Sequence, residues 1–288
     1  MSLRFAYNTN GVANHRFLDA LRLIADSGYD GVALTLDHHH FDPFAPRLER
    51  RAEALAKLLE QLGLGLVVET GARFLLEPRA KHEPTLISPE PEGRERRLDF
   101  LQRAVDLCAI CQGEAVSFWA GVPRPGVDPE AAWGWLVDGV ARLSDYAAAR
   151  GVVAAVEPEP GMRVETVDDW RCLQEAVARR GAAPLRLALD VGHLWVTQER
   201  VPADAVRELA PELGTVALED MKRGVHEHLP FGEGDLNVSS VLQALVKIRF
   251  DRLVCVELSR DSHRAHTMVP QAREWLRAHM PSGAEVAA

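Results

Sequence analysis

Positive charge is scarce in this chain. Its 288 residues carry 33 Lys and Arg against 42 Asp and Glu, a formal net charge of −9. Phosphate backbones call for an excess of Lys and Arg, so nucleic acid is not an expected partner. Long apolar runs are missing too. None approaches the roughly 20 residues that span a bilayer, so no membrane association is expected. The N-terminus shows no basic segment leading into an apolar stretch, and so no secretory signal. Cysteine is limited to four residues, without the spacing of a disulfide framework. Cys108 and Cys111 form a CxxC, but inside an amphipathic helical run and with no second pair nearby. They read as half-buried helix residues. The expected location is the reducing cytoplasm. No linker-like break in composition divides the chain. A single domain over 1–280 is expected, with a C-terminal tail, 281–288, that frays for want of anything to pack against.

What the chain does have is alternation. Apolar runs of strand length occur at Arg4–Thr9, Gly31–Leu36, Leu64–Val68, Ala115–Trp119, Val152–Glu157, Leu185–Asp190, Thr215–Leu218 and Leu253–Glu257. Segments of helical spacing fall between them, for example Arg47–Gly63, Leu98–Cys111 and Ala131–Arg150, and the last runs from Pro270 to His279. Thr166 or Asp168 is placed to cap the helix running to Arg180. Eight strand–helix alternations in under 300 residues predict an α/β fold, a (β/α)8 barrel. An open doubly wound sheet is the alternative. One segment breaks the rhythm. Gly71–Gly93 holds four prolines together with Arg73, Lys81 and His82, and reads as a lid or substrate loop, or as a plain connection.

Polar residues favour the closed form. Glu69, Glu157, Asp190, Glu219 and Glu257 each stand at the C-terminal end of a different apolar run. In an open sheet, ends of distant strands stay apart. In a barrel they converge on one mouth, where active sites of this fold lie. Converging carboxylates repel unless a cation sits among them. A divalent ion is the simplest answer, with oxygen donors suiting magnesium or manganese and histidine admitting zinc. His193 follows the sixth strand, and His226 and His228 follow the seventh. Each residue alone has an ordinary explanation: Glu157 as an ion-pair partner, Asp190 as a cap, His38 to His40 as a solvated cluster, His226 and His228 as a chance HxH. Trp119, ending the fourth strand, can stack on a sugar face or simply pack. The joint pattern points to a metal or substrate site.

Four motifs carry a resemblance: Val-Glu-Pro-Glu-Pro-Gly from Val156, Leu-Asp-Val-Gly-His from Leu189, Leu-Glu-Asp-Met-Lys-Arg-Gly from Leu218 with Gly-Glu-Gly from Gly232, and Val-Glu-Leu-Ser from Val256. In order and spacing they resemble the xylose isomerase-like TIM barrel superfamily. That group includes sugar isomerases, ketose epimerases, inosose-processing enzymes and AP endonucleases of the endonuclease IV type. The similarity is most specific from Val152 to Ser259. It implies that Glu157, Asp190 and Glu257 bind metal, that Glu157 and Glu257 also act as an acid–base pair, and that His193 and Arg223 contact substrate. Glu69, His38 and Trp119 are further candidates for substrate contact. The resemblance breaks at Ala217, where the superfamily usually has a metal-binding histidine. His226 or His228 completes the set, or water does, or metal binding is weakened or lost. The endonuclease branch suggests a further option, a separate three-histidine site.

The function so implied is a metal-dependent isomerase or epimerase of a sugar, sugar phosphate or cyclitol, using a divalent ion (manganese, magnesium or zinc). A metal-dependent hydrolase or lyase of the endonuclease IV type, and a non-catalytic barrel with a decayed metal site, are the alternatives. The expected partner is a small sugar-like molecule, and the resemblance also implies homo-oligomers.

Overall fold

The computed structural model describes residues 2–281, so all of the expected tail but Pro281 lies outside the described residues. Eight parallel strands close into a barrel: β1 (Arg4–Asn8), β2 (Gly31–Thr35), β3 (Gly65–Glu69), β4 (Ala115–Trp119), β5 (Ala154–Glu157), β6 (Arg186–Asp190), β7 (Leu213–Leu218) and β10 (Leu253–Val256). β1 pairs with both β2 and β10, which seals the ring. β2 and β4 are buried at every residue, as strands covered on both faces must be. Helices α1 (Phe17–Asp26), α2 (Leu48–Leu62), α3 (Pro91–Ile110), α4 (Pro129–Ala148), α5 (Val167–Arg179), α7 (Pro202–Glu208), α8 (Val238–Lys247) and α9 (Ala265–Ala278) join the strands, and one continuous apolar core runs between strands and helices.

Local chemistry sets the boundaries. Thr166 and Asp169 form a capping box at the start of α5, while Gly63 ends α2 in the left-handed region. Helix α3 starts at Pro91, not Leu98, because proline fits the first helical position. Helix α9 runs through Pro270 from Ala265. Burial of Ala265, Met268, Val269, Ala272 and Leu276 on one face offsets the hydrogen bond that the proline removes. Cys108 and Cys111 lie in or at the end of α3 as free thiols, with burial pushing them up to about 12 and about 11.

The two ends of the barrel differ. At the N-terminal end Leu253 plugs the interior against Gly31, where a Cβ would come within 2.6 Å of its Cδ1. Burial of such a leucine contributes about 1.5–3 kcal/mol. At the C-terminal end the register sets the residues of the barrel mouth side by side: Thr35 beside Glu69, Glu69 beside Ser117, Trp119 beside Glu157, and Asp190 beside Ala217. Two elements at this end have no counterpart in the sequence reading. Helix α6 (Val191–Thr197) springs directly from β6, and a hairpin of β8 (Asp220–Lys222) and β9 (Val225–Leu229) rises after β7. No helix among the described residues is long and apolar enough to cross a membrane.

Candidate active site

The strand ends surround a cavity of about 290 Å³. Glu69, Glu157, Glu159 and Glu257 line it, as do His193, His226 and His228. Asp190 lies below, bordering a second space of about 10 Å³ with Glu69, Glu157, Ala217 and Glu257. The methyl group of Ala217 therefore looks into the same carboxylates.

Each acid is held differently. Glu157 accepts from Ser117 Oγ at 3.4 Å. Glu257 accepts from the side-chain amides of Asn10, at 2.7 Å, and Asn8, at 3.3 Å. Asn8 is fixed in turn by Thr35, whose hydroxyl donates to its Oδ1 at 2.7 Å. Asp190 Oδ1 caps α6, accepting from the backbone of Gly192 and His193. Its other oxygen is buried without a partner.

The histidines converge because of the two elements at the mouth. His193 stands in the first turn of α6. On β9 the two-residue period of a strand turns His226 and His228 to the cavity side, while Glu227 pairs with Arg260. The ring centroids are 4.8, 5.5 and 6.3 Å apart. His193 Nδ1 donates to Pro158 O at 3.0 Å, which leaves the lone pair on Nε2. That atom faces His226 Nε2 at 3.1 Å and Asp190 Oδ2 at 3.5 Å. Glu159 completes the group, 3.7 Å from His193 Nε2 and 3.8 Å from His226 Nε2.

Burial and crowding push most of these acids toward their protonated forms. Burial, then the Glu257 carboxylate, pushes Glu69 up to about 8. Burial and neighbouring acids also raise Glu157 and Glu219 well above the usual carboxylate range, and burial raises Glu159. Asp190 goes the other way. Burial opposes its ionisation, but His193 and His228 together with its hydrogen bonds hold it low. Burial favours neutral His228, yet Glu219, Glu257 and Asp190 bring it up to about 10, whereas burial and the other two histidines bring His226 down to about 4. A divalent cation would relieve this repulsion. The donor set fits one: Glu157, Asp190 and His193 place ligand atoms within 4.8 Å of one another, and so do the three histidines.

Trp119 lines the cavity, with the guanidinium of Arg97 4.4 Å behind its ring and His82 at its edge. Arg97 is fully buried and donates to Thr70 O at 2.9 Å. The 71–93 segment contributes Gly71, Arg73, Lys81 and His82 to the wall. Two expected residues lie elsewhere. Arg223 sits at the hairpin turn with its guanidinium 5.4 Å over Trp195, away from the cavity lining. His38 is exposed at the rim and pairs with Asp37 at 2.6 Å. Three residues of the mouth were not singled out from sequence: Asn8, Asn10 and Glu159. Glu159 had a signal, two residues after Glu157 within the Pro-Glu-Pro motif. The two asparagines had only their place at the end of the first strand.

Three solved structures share the fold. The apo 3-keto-D-glucoside 4-epimerase YcjR of E. coli is 16% identical with a TM-score of 0.73, the alignment covering 96% of this chain and 100% of that one. D-Psicose 3-epimerase with D-tagatose, from Clostridium cellulolyticum H10, is 16% identical with a TM-score of 0.74, over 97% and 100%. The IOLI protein with a binding zinc atom is 17% identical with a TM-score of 0.71, over 99% and 98%. No curated protein sequence matches the chain. The family model described as xylose isomerase-like TIM barrel matches residues 21–279. The chain belongs to the xylose isomerase-like TIM barrel family.

Proposed function

We propose that this protein is a metal-dependent isomerase or epimerase of a small sugar, sugar phosphate or cyclitol. The observation that carries this reading is the placement of Glu157 and Glu257. Both face one cavity, and in the barrel β6 and β7 stand between β5 and β10. The two glutamates therefore approach a bound substrate from different sides. Glu157, Asp190 and Glu257 would hold the ion, with His226 and His228 beside them. A divalent cation bound there supplies Lewis-acid polarisation of a carbonyl and its neighbouring hydroxyl, which acidifies the adjacent C–H.

The chain's own groups do the rest. One glutamate takes the proton from the carbon on its side, and the other delivers a proton to the opposite face. Such transfer is typically worth 10²–10⁴-fold. Asn8 and Asn10 fix Glu257 in place, and Ser117 orients Glu157. His193 Nε2 offers an acceptor for a substrate hydroxyl, and Trp119 a flat apolar wall for the sugar carbons. The formal net charge of −9 disfavours a polyanionic nucleic acid, which weighs against the endonuclease alternative. Protein loaded with manganese and incubated in D2O with a panel of ketoses and inososes should place deuterium on a carbon next to the carbonyl of at least one. Absence of exchange across the panel, with metal bound, would reject this function.

A further inference from the structure

Strand β7 turns alternate residues to the barrel interior. Thr215 and Ala217 border the small space beneath the carboxylates. Glu219 comes next on that side. It is fully buried, and neither of its carboxylate oxygens has a hydrogen-bond partner. Two more buried atoms without partners lie beside it, Asp190 Oδ2 and His228 Nδ1. A ligand atom from each of these three residues falls within 4.8 Å of the others.

A direct hydrogen bond does not hold the cluster together. His228 Nδ1 and Glu219 Oε2 are 3.9 Å apart, beyond hydrogen-bond range. The separation does suit two ligands of one ion. Zinc bonds of about 2.0–2.2 Å at tetrahedral angles place donors roughly 3.3–3.6 Å apart, so closing by a few tenths of an ångström brings both onto one ion. The surroundings also make room for the carboxylate. Gly192, in the first turn of α6, lies so near that a Cβ there would come within 2.7 Å of Met221 Cε and closer still to the Glu219 carboxylate. Asp190 joins this cluster to the rest of the site. Its Oδ1 caps α6 and its Oδ2 is free for a ligand bond.

We infer that Glu219 and His228 bind the same divalent ion as Asp190, supplying from the end of β7 and from the hairpin the donors that the Ala217 methyl group lacks. This rests on the metal-dependent function proposed above. It gives Glu219, read from sequence only as one of the converging acids, the specific role of a ligand. It also favours zinc or another imidazole-binding transition ion over magnesium.

The test uses cobalt(II) as the probe ion, added to protein stripped with a chelator. Affinity is measured by competition with a chromophoric chelator, and ligand identity by the visible absorption band. Glu219→Gln and His228→Gln should each weaken cobalt binding about tenfold or more and alter the band. Without metal, Glu219→Gln should melt no lower than the unaltered protein, because an amide replaces an unpartnered carboxylate. Its metal-induced rise in Tm should shrink. Wild-type affinity and spectrum in either variant would overturn the assignment while leaving the proposed function standing. So would a Glu219→Gln protein that melts lower without metal yet keeps the full metal-induced rise. If unaltered protein binds no cobalt, both fail together.

Discussion

Glu157→Gln is expected to lower kcat by about 10²–10⁴-fold on the best substrate from the deuterium-exchange panel. Glutamine keeps the size of the side chain and can still accept from Ser117 Oγ. It cannot accept a proton from carbon. It also removes one anionic ligand, so metal affinity should fall as well. Reading kcat at saturating metal separates the two effects. The fold should survive, because Glu157 faces the cavity and supports no packing of the apolar core. Steady-state kinetics beside a thermal melt of the same sample checks this. A variant with full turnover at saturating metal would remove Glu157 from the proton transfer.

Metal-free protein is expected to lose stability as pH rises from about 6.5 to 8. Glu69 titrates near 4.5 when unfolded and about 8 when folded. Glu157 and Glu219 shift in the same direction. Between those values the folded chain holds more protons than the unfolded one. Stability therefore falls with rising pH and is lost as pH passes through the folded value. His228, raised to about 10, contributes with the same sign. His82 and His226, each lowered to about 4, act oppositely, but only below about 6.5, where the unfolded histidine begins to gain its proton. Urea midpoints at pH 6.5, 7.25 and 8 should thus descend in metal-free protein. Saturating zinc or manganese should flatten the descent, since the ion takes the place of the protons. A midpoint that is level or rising without metal would show that these carboxyls are already compensated.

Much of the frame was legible in the sequence because buried parallel strands leave a plain trace. Eight apolar runs, most ending in a polar residue, gave both the ring and its functional end. The hairpin was not legible, because Val225–Leu229 sets two histidines on one face and interrupts Val225 and Leu229 with Glu227 on the other. Helix α6 was hidden inside a motif, and its seven residues are too few for helical periodicity to show. Both elements matter to the site, since they carry the three histidines. The support of Glu257 by Asn8 and Asn10 spans about 250 positions of chain, so only closure of the barrel reveals it. Arg97 stands just before the helix expected from Leu98 and drew no attention there. Its burial behind Trp119 depends on neighbours from β3 and β4 that periodicity cannot supply. Arg223 is the converse case, a motif position that the hairpin sets over Trp195.

The claim beneath all of this is that the converging acids hold an ion. Elemental analysis of purified protein, beside Asp190→Ala, tests it most directly. The account predicts about one manganese, zinc or similar ion per chain, lost in the variant. Several zinc ions per chain would shift the balance toward a multi-metal hydrolase built on the three histidines. No bound metal, even after the ion is added back, would contradict the account and leave Ala217 as the mark of a lost site.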